Sequence, residues 1–142
     1  MKNILFTIIF TAISFHENGT PRKIIVYSVN FFTRTIIAIP CEKFSANFRG
    51  IVDTSEVSAE GSIKKLDKFL EEIKYSKDSI HIDTRAKFVF INKLGTEMEI
   101  CMDVFNISIN GRLIGNFPAF HGFLRSLVPP NQLLLHPKKV IK

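Results

Sequence analysis

Residues 80–115 read IHIDTRAKFVFINKLGTEMEICMDVFNISINGRLIG, and this stretch decides the fold. Apolar and polar residues alternate through most of it, which is typical of strands that bury one face. Two turn sequences interrupt the alternation, KLG at residues 93–95 and NG at residues 110–111. The first fits a three-residue hairpin connection and the second a two-residue turn, so the stretch predicts an antiparallel β-meander.

The first turn fixes the register of the hairpin that it connects. With Gly95 in the left-handed conformation, Phe88 faces Ile100 and Phe90 faces Met98, which gives one apolar face. A slip of one residue would bring the glutamates of the second strand into the core. The apolar pattern therefore selects this register.

The opposite face of the hairpin is polar. There the register pairs Lys87 with Cys101 and Arg85 with Asp103. We expect this face to be the more exposed one, and we expect Arg85 and Asp103 to form a cross-strand ion pair worth no more than about 1 kcal/mol. Near the end of the second strand the apolar residues change from even to odd positions of the sequence. This switch of apolar parity predicts a bulge or tight bend at residues 103–105.

Other elements flank the meander. Residues 24–39 are rich in β-branched and aromatic types, which predicts one long bent strand or two strands broken near residue 30. Residues 41–61 lack periodicity and are expected to form a long loop with short local structure, a mild functional candidate. Residues 63–73 have helical spacing of apolar residues, with Ser62 or Ser58 as the N-cap.

A second helix is predicted to begin near Pro118, because proline suits the first helical turn. Its buried stripe consists of Phe120, Phe123, Leu124 and Leu127, which places His121 on the solvent side. Pro129-Pro130 ends it.

These elements predict an α+β domain in which an antiparallel meander sheet carries one amphipathic helix across its apolar face and a short C-terminal helix. The order β-α-β-β-β-β resembles the cystatin-type grip in outline over residues 23–115. The Q-x-V-x-G loop of cystatins is not seen in this sequence. The resemblance therefore concerns element order, and inhibitory function is not carried over from it.

The N-terminal sequence MKNILFTIIFTAISF has an early lysine, an apolar run over residues 4–13 and small residues near its end. This layout predicts a signal peptide over residues 1–14, so we expect an exported, bacterial protein. The run is shorter than the roughly 20 residues of a membrane-spanning helix. The alternative is a buried first strand of a cytosolic protein. Residues 15–130 then form a single domain, followed by a basic tail at residues 131–142.

The formal charge of +6 does not indicate a nucleic-acid-binding surface. Lys2 lies in the N-terminal segment and Lys138, Lys139 and Lys142 in the tail, which leaves about +2 for the rest of the chain. No clustered basic face follows from the sequence. A weak attraction to anionic lipid or polysaccharide is compatible with this balance.

The two cysteines offer two readings. In an exported chain Cys41 and Cys101 are candidates for one disulfide, with two unrelated reduced thiols as the alternative. Cys101 is also a candidate nucleophile, since Lys87 beside it favours the thiolate. His81 lies too far along the ladder to act as its base.

For catalysis the weak candidates are Cys101, His81, Asp83 and Arg85. The histidines do not cluster and the cysteines lack zinc spacing, so we expect no metal site and no cofactor. We expect a small exported binding or interaction module that is not an enzyme, with an unknown protein or envelope component as its partner. The alternative is a small hydrolase-like enzyme with its site on the outer face of the meander.

Overall fold

A six-stranded antiparallel sheet forms the centre of the computed structural model, which describes residues 22–134. The strands are β1 (Lys23–Ser28), β2 (Asp53–Val57), β3 (Ala86–Ile91), β4 (Glu97–Met102), β5 (Ile107–Ile109) and β6 (Arg112–Leu113). They lie side by side in the order β2-β1-β3-β4-β5-β6. The helices are α1 (Phe44–Asn47), α2 (Glu60–Glu71) and α3 (Pro118–Leu127), with short 3-10 helices at Cys41–Lys43 and Pro130–Leu133. This architecture confirms the predicted α+β class.

The meander has the predicted register. Phe88 pairs with Ile100 and Phe90 with Met98, and Gly95 adopts the left-handed conformation with a φ of 76°. The NG turn also forms as predicted and sets residue 109 opposite residue 112. Where the apolar parity of the sequence switches, the chain makes a tight turn at residues 103–106, between the end of β4 and the start of β5.

The main core lies between the apolar sheet face and the two longer helices. Helix α2 buries Ile63 and Leu66 against this face, as its apolar spacing predicted. Helix α3 buries Phe120, Phe123 and Leu124 in the same cluster. The N-cap prediction was wrong: Ala59 precedes α2 and no side chain caps it. Packing of the apolar stripe therefore holds this helix.

The strand prediction for residues 24–39 was wrong beyond Ser28, where β1 ends and the chain leaves the sheet. In residues 41–61 the short local structure that was expected consists of a 3-10 turn and α1, but the edge strand β2 was not predicted. The sequence of β2, DTSEV, is polar. Such a sequence can form a strand here because β2 is held by backbone pairing to β1 and is only partly buried. Apart from the 3-10 turn and the four-residue α1, the elements through β6 follow the order β-β-α-β-β-β-β, which has one strand more before α2 than the predicted outline.

Residues 29–50 fold back over the second face of the sheet, and we call them the outer layer. They form a second small core in which Val29, Ile39, Phe44 and Phe48 are buried. The expectation of a more exposed outer face was therefore wrong at the end of the sheet that this layer covers. Cys101, which lies beneath it, is fully buried.

The predicted ion pair between Arg85 and Asp103 does not form. Arg85 pairs instead with Asp83, and only about 6% of its side chain is exposed. The Asp103 carboxylate accepts hydrogen bonds from the backbone N–H groups of Phe105 and Asn106. The Asp103 carboxylate thus stabilises the turn at residues 103–106, and the guanidinium of Arg85 is enclosed by the outer layer.

Cys41 and Cys101 form a disulfide, which is one of the two alternatives predicted from the sequence. Their Cα atoms are 5.9 Å apart, within the range that a disulfide requires. The bond joins the outer layer to the middle of the sheet across 60 residues of chain.

Among residues 22–134, no helix has the length and apolar character needed to cross a bilayer.

The ends of the chain fall partly outside the described residues. The predicted signal peptide and residues 135–142 of the predicted tail lie beyond them. Gln132 and Leu133, which belong to the stretch expected as a tail, pack on the domain. The Gln132 side-chain amide donates to the Asp53 carboxylate, and Leu133 contacts the main core.

We expect reduction of the disulfide to lower the free energy of unfolding by about 4 kcal/mol, the chain-entropy value for a closed loop of about 60 residues. Urea denaturation with and without reductant measures this. The Cys41→Ser/Cys101→Ser double variant is the control, since its denaturation curve should not respond to reductant. Coincident curves for the unmodified chain under both conditions would contradict the prediction.

Candidate functional site

An ion pair between buried Arg85 and partly exposed Asp83 lies at the end of the sheet where β1 and β4 finish and β2, β3 and β5 begin, which we call the Ser28 end. Arg85 Nη1 donates to Asp83 Oδ1 at 2.7 Å and Nη2 to Asp83 Oδ2 at 2.5 Å. The guanidinium lies over the ring of Phe48, 5.6 Å from its centroid. Two parallel hydrogen bonds and an aromatic face fix both side chains in one arrangement.

The Asp83 carboxylate also holds a piece of the outer layer. Its Oδ1 accepts a hydrogen bond from the Ile39 N–H at 2.9 Å, and Thr35 Oγ1 lies 3.4 Å from the same oxygen. Thr35 Oγ1 accepts from Arg85 Nη2 at 3.1 Å, and the Thr84 N–H donates to the Ile39 carbonyl at 2.8 Å. Residues 35–39, which we call the apolar loop, are thus fixed at both ends.

The tip of the apolar loop projects into solvent. Ile36 is fully exposed (103%) and Ile37 is 70% exposed, whereas Ile39 at the fixed end is buried. A large aliphatic side chain contributes to folding by leaving water, so Ile36 contributes almost nothing to the stability of this domain. Two adjacent isoleucines thus form an exposed apolar surface that belongs to neither of the two cores among the described residues.

A cleft of about 440 Å³ opens beside the apolar loop. Its walls combine aliphatic and polar side chains, and its lining includes Ile37, Ile39, Lys43, Asn47 and His81. This volume lies within the range of small-ligand sites. The cleft is open, so it extends the surface of the apolar loop and does not enclose a ligand.

A second cleft of about 460 Å³ lies between the turn at residues 103–106 and the start of α3. His121 borders it and is half-buried, so the prediction that it faces solvent was wrong. Its Nε2 lies 3.2 Å from the Asp103 carbonyl, which can only accept a hydrogen bond, so Nε2 donates. His121 therefore supports the adjacent turn from α3.

The four candidate catalytic residues are only partly brought together. Asp83 and Arg85 are bonded to each other, and His81 is exposed on the rim of the cleft beside the apolar loop. Cys101 is buried in the disulfide, so it has no thiol to serve as a nucleophile in this state.

One cluster near the disulfide has the composition of a metal site. Potential ligand atoms of Cys41, Glu99 and Cys101 lie within 4.8 Å of one another. The two sulfurs are bonded to each other, so neither is a thiolate ligand in the oxidised protein. Glu99 is also engaged, because its Oε2 pairs with Lys87 Nζ at 2.5 Å.

Sequence reasoning missed the apolar loop itself. The residues TIIAI have the composition of a buried strand, and their pattern predicts one there. One available signal was the polar interruption by Thr33, Arg34 and Thr35, which breaks the apolar run and departs from strict alternation. The contact that holds the loop joins residues 44 to 50 positions apart, which local pattern cannot reveal.

Comparison of the chain with protein-family models found no match, and comparison with curated proteins and with solved structures found no significant match either. Functional inference for this protein therefore rests on the geometry of its own residues.

We expect the Asp83→Ala variant to lose about 3 kcal/mol of folding stability, because it leaves Arg85 buried without a counter-ion and removes the acceptor of Ile39. Urea denaturation measures the loss. Asp78→Ala is the matched control on the same connecting segment: its carboxylate is exposed and accepts from Ser76 Oγ, so its change should stay within about 0.5 kcal/mol. Equal stability of the two variants would contradict the role assigned to Asp83.

Proposed function

We propose that this chain is a small exported binding module that is not an enzyme, and that it contacts its partner through the apolar loop. The observation that carries the proposal is the exposure of Ile36 and Ile37 on a loop whose two ends are held by the ion pair of Asp83 and Arg85. A fixed loop loses little conformational entropy on binding, so its apolar tip contributes most of its transfer free energy to the complex.

The contacts of the other candidate residues support a binding role over a catalytic one. Arg85 is almost fully buried, and Asp83 accepts from both Arg85 and the backbone of Ile39. Both side chains are therefore engaged in positioning the apolar loop. A hydrolase-like site on the outer face has less support, because residues 29–50 cover the part of that face that contains Cys101.

Export is part of the same proposal. A disulfide forms and persists in oxidising compartments, which is compatible with the signal peptide predicted over residues 1–14. The partner would then be an envelope or extracellular component. The exposed isoleucine pair is suited to contact an apolar surface of such a component.

We expect the Ile36→Ser/Ile37→Ser variant to bind washed envelopes from the source organism on the order of 100-fold more weakly than the unmodified chain, because two apolar side chains are lost from the contact. Saturation binding of labelled full-length protein measures this. Leu94→Ser is the control, since Leu94 is an equally apolar and exposed residue (88%) at the opposite end of the sheet. Equal affinities for all three chains would contradict the proposed function.

A further inference from the structure

We propose that the partner of the apolar loop is the surface of an anionic lipid bilayer. This inference rests on the proposed function and specifies its ligand. It follows from three observations: where the exposed apolar residues lie, which charges accompany them, and what shape they present.

Exposed apolar side chains of the described residues concentrate at the Ser28 end. The segments that leave or enter the sheet there include Phe32 after β1, Ile36 and Ile37 in the apolar loop, Ile51 before β2 and Phe105 between β4 and β5. The hairpin at the opposite end exposes Leu94, and the segment between α2 and β3 exposes Tyr75 and Ile80. This asymmetry gives the domain one apolar end, as expected of a protein that lies against an apolar boundary.

Exposed basic side chains accompany the apolar loop at the Ser28 end. Of the carboxylates there, Asp83 is paired with Arg85, whereas Asp53 and Asp103 accept hydrogen bonds from neutral groups and keep their charge. Arg34 and Arg49 are exposed and, within residues 22–134, take part in no ion pair.

The outer layer as a whole contains three basic residues, Arg34, Lys43 and Arg49, against one acidic residue, Glu42. Its net positive charge therefore accompanies the exposed isoleucines in the same segment. Basic side chains next to an apolar tip are the combination that binds anionic lipid headgroups while apolar groups enter the acyl boundary.

The shape of the tip favours a bilayer over a protein. Ile36 is as exposed as in an isolated chain, so the tip is a projection that a protein partner must receive in a matching pocket. A bilayer needs no preformed pocket, because its interface deforms around an inserted side chain. Phe32, three residues before the apolar loop, and Ile51, just before β2, are further exposed apolar side chains at the Ser28 end.

The test uses tryptophan as a reporter, since the chain contains none. Full-length Ile36→Trp and Leu94→Trp variants are mixed with vesicles of phosphatidylcholine that contain about one-third phosphatidylglycerol, at about 0.1 M salt. We expect Ile36→Trp to show blue-shifted emission and protection from acrylamide, and Leu94→Trp to show neither. Both variants share residues 1–14, so any attachment through that apolar segment affects them equally.

Lipid affinity is measured in parallel by co-sedimentation with the same vesicles. We expect the Ile36→Ser/Ile37→Ser variant to bind on the order of 100-fold more weakly and the Arg34→Gln/Arg49→Gln variant about tenfold more weakly. About 0.5 M salt should remove the difference between the arginine variant and the unmodified chain, because it screens the electrostatic part.

Two outcomes overturn the lipid proposal. One is an Ile36→Trp spectrum that does not change with vesicles, or that changes no more than the Leu94→Trp spectrum. The other is equal vesicle affinity of the unmodified chain and the isoleucine variant. If envelope binding still depends on Ile36 and Ile37 in either case, the apolar loop remains the binding site and its partner is an envelope component other than the lipid bilayer. Loss of that dependence overturns the proposed function itself.

Discussion

The ion pair between Arg85 and Asp83 connects the sheet to the layer that covers it. Arg85 immediately precedes β3, and its backbone N–H donates to the carbonyl of Met102 at the end of β4. Its side chain leaves the sheet and meets Asp83, Thr35 and the ring of Phe48. A guanidinium buried to this extent requires a counter-ion, which Asp83 supplies from the same segment, and the outer layer adds the Thr35 hydroxyl and the Ile39 N–H to the pair.

The domain is built on two cores of unequal size. The larger one joins α2 and α3 to the apolar sheet face, and it follows directly from the alternation along β3 and β4. The smaller one depends on long-range contacts: the disulfide, the Asp83 hydrogen bonds and the burial of Phe44 and Phe48. The apolar loop belongs to the smaller core, so its position is determined by polar and covalent contacts more than by packing.

The sequence predicted those parts of the fold that local physical chemistry determines. The register of β3 and β4, the turns at Gly95 and Asn110, and both longer helices follow from periodicity and turn residues, and the structure confirms them. Polar β2 was missed because an edge strand held by backbone pairing has no apolar alternation. The outer layer was missed because its apolar residues resemble a strand, and Asp83 was assigned no role in the loop because its partners lie 44 and 48 positions away.

The central claim is that Asp83 fixes the apolar loop at its Ile39 end while the tip of the loop stays in water. Amide hydrogen exchange followed by NMR tests this most directly. If the claim is correct, the Ile39 and Thr84 amides, which donate to Asp83 Oδ1 and to the Ile39 carbonyl, exchange as slowly as amides of the central strands, and those of Ile36 and Ile37 exchange at nearly unprotected rates. Exchange at Ile39 as fast as at Ile36 would contradict it.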